Sequence, residues 1–473
     1  MDRLPRQAAR AACFCLSLLC AACTMAPAYE RPAMPIPDAY GTGADMAGPA
    51  APLPEWKIFF SDPALQRLIE LALQNNRSLR SAMENVERVR AQYQIQRADL
   101  LPTLNAEGQS SNQGMPADLS ATRQRSVSRQ YLVGVGMSNF EVDLWGRLRS
   151  LSEAALETWH SAREDAAAAR LVLTTETASV YLQLVTDREL LDIARATYQN
   201  RLGQYKLVRS KFASGVASQL EASQAESIMR EAQSQAARYA SAVGQDENLL
   251  ALLIGGPLPR DLPEVRRLSK VGMPRDVPEG LPSSLLERRP DIRSAEHRLR
   301  AANAAIGAAR ANFFPAIRLT GTLGTISADY SRLFEPHTGY WAFMPSVTLP
   351  IFDTGRNIAQ LEVSEAERNM AVADYEKTVQ TAFREVADCL VQRRYIGEQA
   401  VAERALLKAT QTAYNLASAR YEAGVDSYLN VLDAQRSLFA AQQSWTATQL
   451  QRAVNALTLF KALGGGWYQG NAG

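Results

Sequence analysis

From Arg147 onward the apolar positions recur at helical spacing, with Leu171, Leu173, Val180, Leu182, Leu184, Leu190 and Leu191 in one stripe. No proline interrupts the chain between Pro116 and Pro257, and no glycine between Gly146 and Gly203. The pattern predicts a helix from about Leu148 to Ala213, roughly 100 Å long at 1.5 Å per residue and far longer than an ordinary globular helix. Ala and Thr keep its stripe narrow, which suits a coiled coil or a tunnel wall. Gly215 predicts a reversal, and a second long helix returns to a glycine stop at Ile254-Gly255-Gly256.

Ahead of this hairpin the period changes twice. Asp62-Pro63 predicts a helix start, with Leu65, Leu68, Ile69 and Ala72 on one face, and a further helix runs from about Ser78 to Asp99. After Pro102 the chain alternates with period two: Leu104, Ala106 and Gly108, a Ser-, Gln- and Gly-rich loop from Gln109 to Ser128, then Tyr131, Val133, Val135 and Met137 opposite Gly134, Gly136 and Ser138.

The whole series then recurs. SKFASGVASQLEASQAES, beginning at Ser210, aligns with the stretch around RYEAGVDSYLNVLDAQR, Arg420 to Arg436, at a constant shift of 209. Gly215 falls on Gly424, Val216 on Val425, Ser218 on Ser427 and Leu220 on Leu429. Arg80-Ser81-Ala82 returns as Arg293-Ser294-Ala295 and Pro102 as Pro315 at a shift of 213, which predicts a first hairpin loop four residues longer than the second. The chain reads as an internal duplication: a first repeat over 61–256 with strands at about 102–142, a connector over 257–283, a second repeat over 284–465 with strands at about 315–351, and a tail over 466–473.

In the second hairpin Ile317, Leu319 and Leu323 oppose Arg318, Thr320, Thr322 and Gly324, while Trp341, Phe343, Val347 and Leu349 oppose Ala342, Met344, Ser346 and Thr348. About ten residues per strand is enough to cross a bilayer at a tilt, and Tyr330, Tyr340 and Trp341 suit an aromatic girdle. A soluble sheet covered on one side gives the same alternation. Four strands cannot close a barrel, and an open edge in lipid leaves unpaired backbone groups that cost several kcal/mol each. Either the strands stay out of the membrane or several chains share one barrel; the narrow helical stripes favour sharing.

The N-terminus has the order of a secretory signal over 1–22: Arg3, Arg6 and Arg10, an apolar run from Ala11 to Leu19, then Ala21-Ala22 before Cys23. Leu19-Cys20-Ala21-Ala22-Cys23 resembles a bacterial lipoprotein box, with Cys20 where leucine is usual, so Cys23 is the candidate lipidation site; an ordinary secretory signal is the alternative. Thr24 in place of aspartate permits sorting to the outer membrane under the rule for such lipoproteins. A Pro- and Ala-rich tether or strap follows, within 23–60. Cleavage removes three arginines and one aspartate and leaves equal numbers of basic and acidic side chains, which argues against nucleic-acid binding. Of the five cysteines only Cys389 is then a free thiol, so no intramolecular disulfide framework is expected.

No enzymatic constellation emerges. His160, His297 and His337 have no metal-ligand spacing, and there is no Walker loop, nucleophile elbow or Cys pair. His297 reads as a surface or packing residue.

The duplicated plan, the lipobox, the GVAS and GVDS turns, LLERRPDIRSAEH at Leu285–His297, NVLDAQRSLF at Asn430–Phe439 and KALGGGW at Lys461–Trp467 resemble the outer membrane factor family of TolC-like exit ducts, above all its OprM-type lipoproteins. The resemblance covers residues 23–467. It implies a mixed, mainly α fold: a homotrimer whose twelve strands form one outer membrane barrel, continued by a periplasmic α-helical barrel. It implies docking to a periplasmic adaptor and an inner-membrane resistance-nodulation-division transporter driven by protons, contact with outer membrane lipids, a covalent lipid on Cys23, and no other cofactor, metal or catalysis.

The resemblance also assigns roles by position. Asp433 matches the gate aspartate of the LDA motif, where threefold symmetry gathers one carboxylate per chain around the axis. Leu429, one turn earlier, matches an apolar constriction, and Arg436 is a candidate partner of Asp433. An ordinary exposed helical ion pair is the alternative. Tyr421 and Asp187 match positions whose interhelix bonds hold the tip closed. Asp426 stands where the TolC-type pattern has an arginine, and Asn430 where it has a second aspartate, so a single carboxylate ring is expected. Gly215, Val216, Ser218, Gly424, Val425 and Ser427 form the two tips, which reverse the chain and in the family meet the adaptor. Gln224 occupies Asp433's place in the first repeat, leaving the gate carboxylate to the second alone. A periplasmic coiled-coil scaffold held only by its lipid is the competing function.

Overall fold

The computed structural model describes residues 24–37, 40, 55–120, 123–263, 265, 267–272 and 283–465. The signal segment, Cys23, much of the 257–283 connector and the 466–473 tail lie outside the described residues. The helices are α1 Trp56–Phe59, α2 Pro63–Asn75, α3 Arg77–Ala98, α4 Arg147–Ala213, α5 Gln219–Leu253, α6 Pro290–Ala311, α7 Arg356–Glu422 and α8 Tyr428–Ala462. The strands are β1 Asn105–Met115, β2 Ser126–Val142, β3 Ala316–Ser327 and β4 Gly339–Thr348. Helices in equivalent places have equal lengths: α3 and α6 have 22 residues, α4 and α7 have 67, α5 and α8 have 35.

Two compact units result, one within Met1–Ala33, Asn85–Arg163 and Ser294–Tyr375, the other within Met34–Glu84, Glu164–Arg293 and Glu376–Gly473. The first holds one antiparallel sheet in the order β1-β2-β3-β4. Directly opposed residues share a face, so Val135, Leu323 and Trp341 form an apolar row across three strands. Leu323 is 70% exposed and Trp341 75%, an unusual display of large apolar side chains for a water-facing sheet. On the other face Gly134 opposes Gly324, and the strands pass so closely that a Cβ on Gly324 would lie 2.2 Å from the Val133 carbonyl oxygen.

Two sequence expectations are corrected here. Residues 109–115 are not loop but the body of β1; they lack an apolar face yet complete the ladder with β2, as Gln109 with Leu132 and Ser111 with Gln130. The first hairpin loop is not the longer one either. The loops 116–125 and 328–338 are nearly equal, and the added length lies in the strands, β2 having 17 residues against 10 in β4. β2 absorbs a register irregularity between Met137 and Phe140, where Asn139 takes φ +60° and its amide donates to Thr320 Oγ1 at 3.1 Å.

The N-terminal segment of the first unit lies against α6. The Asn303 amide donates to the Pro27 carbonyl at 2.8 Å, the backbone of Ala26 crosses at Gly307, and Arg31 reaches Glu296 at 2.6 Å. Positions 296, 300, 303, 307 and 310 occupy one face of α6, spanning about 21 Å at the helical rise, and the six steps from Met25 to Arg31 cover a similar length in extended form. His297 is half-buried and bonded through Nδ1 to Glu157 at 2.6 Å.

In the second unit, Asp62 caps α2 by accepting from the Leu65 amide at 2.9 Å, and Phe59 stacks on Phe460 with centroids 4.1 Å apart. Arg289 of the LLERRPD stretch is buried, donates to the Ala462 carbonyl and pairs with Asp291 and Glu385. Within the α4–α5 hairpin Leu190, Leu191 and Ala194 pack on Tyr239. Cys389 is free and buried, and burial together with Glu385 and Asp388 pushes its thiol up to about 11, leaving it unreactive.

Candidate functional site

The two tips are built alike. Gly215 at φ +75° and Gly424 at φ +72° occupy the left-handed region that a glycine reaches without a Cβ penalty. The Val216 amide donates back to the Lys211 carbonyl at 2.8 Å, and Val425 to Arg420 at 3.0 Å, closing each helix end. Val216 (77%) and Val425 (66%) project outward, an apolar residue at each apex.

Their second halves differ. Ser218 makes a full capping box with Glu221: its hydroxyl accepts from the Glu221 amide at 3.2 Å, and Glu221 Oε2 accepts from the Ser218 amide at 2.7 Å. Ser427, at the equivalent place before α8, makes no side-chain cap bond. The neighbouring Asp426 accepts from the Ser427 amide at 2.9 Å, from Arg420 Nε at 3.1 Å and from Asn430, and among the described residues it reaches no backbone amide of α8 itself. Those contacts, Arg420 first, hold its carboxyl below the usual carboxylate range. Asp426 and Asn430 thus form a local clasp within one tip.

Leu429 is 60% exposed, and Asp433, one turn on, is exposed as well. Arg436 is exposed, but no ion pair joins it to Asp433 among the described residues; its charge instead acts on Arg201 of α4. Burial lowers the Arg201 guanidinium, Glu231 opposes that, and Arg436 adds to it. Arg201 is held by the Ile228 carbonyl at 3.0 Å and lies over the Phe439 ring. The unpaired Leu429–Asp433–Arg436 edge is therefore available to something outside the chain.

Tyr421 and Asp187, both matched to positions that hold the tip closed, are not brought together. Tyr421 sits beside the tip, where Lys211 Nζ donates to its hydroxyl at 3.4 Å and its ring meets Tyr428. Asp187 lies 24 residues before Lys211 on the same uninterrupted helix, α4, about 36 Å along it. There it is buried, bonded by Gln183 at 2.9 Å and packed on Asp246 of α5. Burial, Asp187 and then Glu247 push the Asp246 carboxyl up to about 7. This carboxyl pair could have been found from spacing alone, since 187 and 246 lie nearly equally far from the Gly215 turn and so face each other in an antiparallel helical hairpin. Among the described residues no group of three or more His, Cys, Asp or Glu could hold a metal ion, and no helix is long and apolar enough to cross a membrane.

An exposed apolar sheet face and long helical hairpins with glycine tips suit the class of membrane-embedded channels. The profile of the outer membrane efflux protein family matches residues 68–256 and 281–465. OprJ, an outer membrane protein of Pseudomonas aeruginosa, is 44% identical over 463 residues, covering 97% of this chain and 96% of its own. The solvent efflux pump outer membrane protein SrpC of Pseudomonas putida is 43% identical over 456 residues, covering 95% and 97%. The open-state MtrE outer membrane channel of Neisseria gonorrhoeae superposes with a TM-score of 0.84 at 40% identity, covering 94% of this chain and 98% of that one. The chain belongs to the outer membrane efflux protein family, a non-enzymatic transport family of the outer membrane.

Proposed function

We propose that this chain is the outer membrane exit duct of a tripartite, proton-driven efflux pump, passively exporting drugs or other small toxic compounds. The observation that carries the reading is the four-stranded sheet, whose apolar face is exposed and whose outer strands β1 and β4 each have one unpaired edge among the described residues. Three copies joined edge to edge make a closed twelve-stranded barrel, which removes every open edge from lipid. The equal helix lengths support a duplicated chain that supplies two hairpins to each third of a periplasmic tunnel. Lipidation of Cys23 adds a second anchor.

Leu429 and Asp433 form the gate: three leucines narrow the passage, and three carboxylates repel one another on closing unless a cation or a neighbouring copy's Arg436 offsets them. Lys211–Tyr421 and Tyr428–Gln204 hold the two hairpins together beside it. The tips at Gly215–Ser218 and Gly424–Ser427 receive the periplasmic adaptor, and the exposed Val216 and Val425 are their apolar contacts. Asp187 acts apart from this gate, as half of the buried carboxyl pair. Cargo is chosen mainly by the inner-membrane transporter; relatives named for solvent and antibiotic efflux make small apolar compounds the first class to test.

The test is drug and solvent accumulation in a deletion strain carrying this chain with a candidate adaptor and transporter. Restored efflux, lost again on removal of any one of the three, is the expected result. Unchanged accumulation with every such pair, despite trimer in the outer membrane, would contradict the reading.

A further inference from the structure

In the first unit a cavity of about 400 Å³ lies at the foot of the sheet, where β2 passes into α4, α6 into β3 and β4 into α7. Its apolar wall is Trp145 stacked on Phe314, with centroids 4.7 Å apart, beside Val142 and Pro315. The indole is fixed by its Nε1 donating to the Pro315 carbonyl at 2.9 Å.

Three carboxylates also line the cavity, and each is already engaged. Glu141 takes a two-pronged bond from Arg147 at 2.7 and 2.8 Å. Asp143 accepts from the Leu148 and Arg149 amides and from Arg149 Nε at 3.2 Å. Asp353 caps α7 through the Gly355 and Asn357 amides at 3.0 and 2.9 Å. Two cations remain: neither Arg318 nor Arg356 has a carboxylate within ion-pair distance among the described residues, although Arg318 stands directly across the strands from the occupied Glu141. The lining as a whole balances three carboxylates against three arginines, but Arg318 and Arg356 are left without a carboxylate partner beside an aromatic wall.

The register places the site. Arg318 shares its face with Thr320, Thr322 and Gly324, opposite the exposed Leu323 row, so it lies on the face that lines the passage if the apolar face meets lipid. We infer that this cavity is a binding subsite for amphiphilic organic anions, molecules with a carboxylate or sulfonate head and an apolar body, held by Arg318 and Arg356 through the head and by Trp145 and Phe314 through the body. The inference deepens the proposed duct function, resting on that reading for the luminal placement: it names a cargo class the duct holds in passing, and predicts one site per protomer.

The test uses purified full-length trimer and two fluorescent probes of similar shape, the sulfonate 8-anilinonaphthalene-1-sulfonate and the uncharged N-phenyl-1-naphthylamine. Arg318→Gln and Arg356→Gln should each weaken sulfonate binding by about fivefold or more, and together by at least about tenfold, the loss of charge-assisted bonds. Binding of the neutral probe should stay within about twofold. Sulfonate binding unchanged in the double variant, or an equal loss for both probes, would overturn the subsite; so would an absence of saturable sulfonate binding to the wild-type trimer, the result if a second copy supplies a carboxylate to the two arginines. Bilayer conductance of the same trimers carrying Asp433→Ala and Leu429→Ala, the substitutions expected to open the gate, separates the two readings. Conducting protein with no arginine-dependent sulfonate binding refutes the subsite alone, whereas trimer that never conducts refutes the duct.

Discussion

The Tyr428 hydroxyl donates to Gln204 Oε1 at 3.1 Å, joining the first turn of α8 to α4, so the second tip is tied to the first hairpin within one chain. Burial, with Tyr421 next, pushes the Tyr428 phenol up to about 12, which keeps it a neutral donor at any physiological pH. Tyr428→Phe removes the bond without emptying the space. A bond of this kind is worth about 1 kcal/mol, so the variant should raise antibiotic entry or basal conductance by roughly fivefold, with Lys211→Ala acting in the same direction.

The carboxyl pair at Asp187 and Asp246 gives a pH dependence. The folded-state value of Asp246 is raised to about 7 from the ordinary 3.8 of an aspartate, so the folded chain holds an extra proton between those limits. Stability attributable to this group is greatest below the lower limit, falls as pH rises through the window, and is lowest above about 7. Asp246→Asn should therefore raise the midpoint of thermal inactivation at pH 8, with a gain that shrinks toward pH 5. A gain that grows on acidification would contradict the assignment.

Arg31 and Glu296 hold the N-terminal segment on α6. Burial alone would raise the Glu296 carboxyl, but bonds from Arg31 and Arg300 outweigh it and hold the group below its ordinary range. Its contribution is present above the ordinary carboxylate range and is lost as pH falls through the depressed value. Glu296→Gln should accelerate proteolytic clipping near residues 25–31 severalfold at neutral pH, with the rest of the chain still protected, as read by limited proteolysis and mass spectrometry.

Gly324 faces Gly134 where β2 and β3 pass closest. Gly324→Val should force the strands apart and remove the heat-modifiable trimer from outer membrane fractions, while Gly339→Val, with open space at its Cβ, should leave it intact.

Much of this architecture was legible because two periods are hard to confuse. The 67-residue α4 follows from an uninterrupted helical stripe, and the tips follow from Gly215 and Gly424 recurring in the same surroundings. β1 was hidden for a physical reason: Gln109, Ser111 and Gln113 owe their strand conformation to pairing with β2, and no apolar alternation of their own announces it. At the site, exposed residues on a repeated turn could be named in advance, whereas partners could not. Lys211 meets Tyr421 only because α4 and α7 pack side by side, and Asp426 is the local clasp because its carboxylate reaches Arg420 and Asn430 together. Asp187 was misplaced because matching a position does not supply its distance from the tip.

Planar-bilayer recording of the purified trimer reaches the gated duct most directly. Wild-type protein should be nearly silent or of low conductance, and Asp433→Ala combined with Leu429→Ala should open it to a large, stable conductance. Trimer that is properly inserted yet never conducts, with or without those two substitutions, would contradict a gated pore and leave a lipid-anchored scaffold in its place.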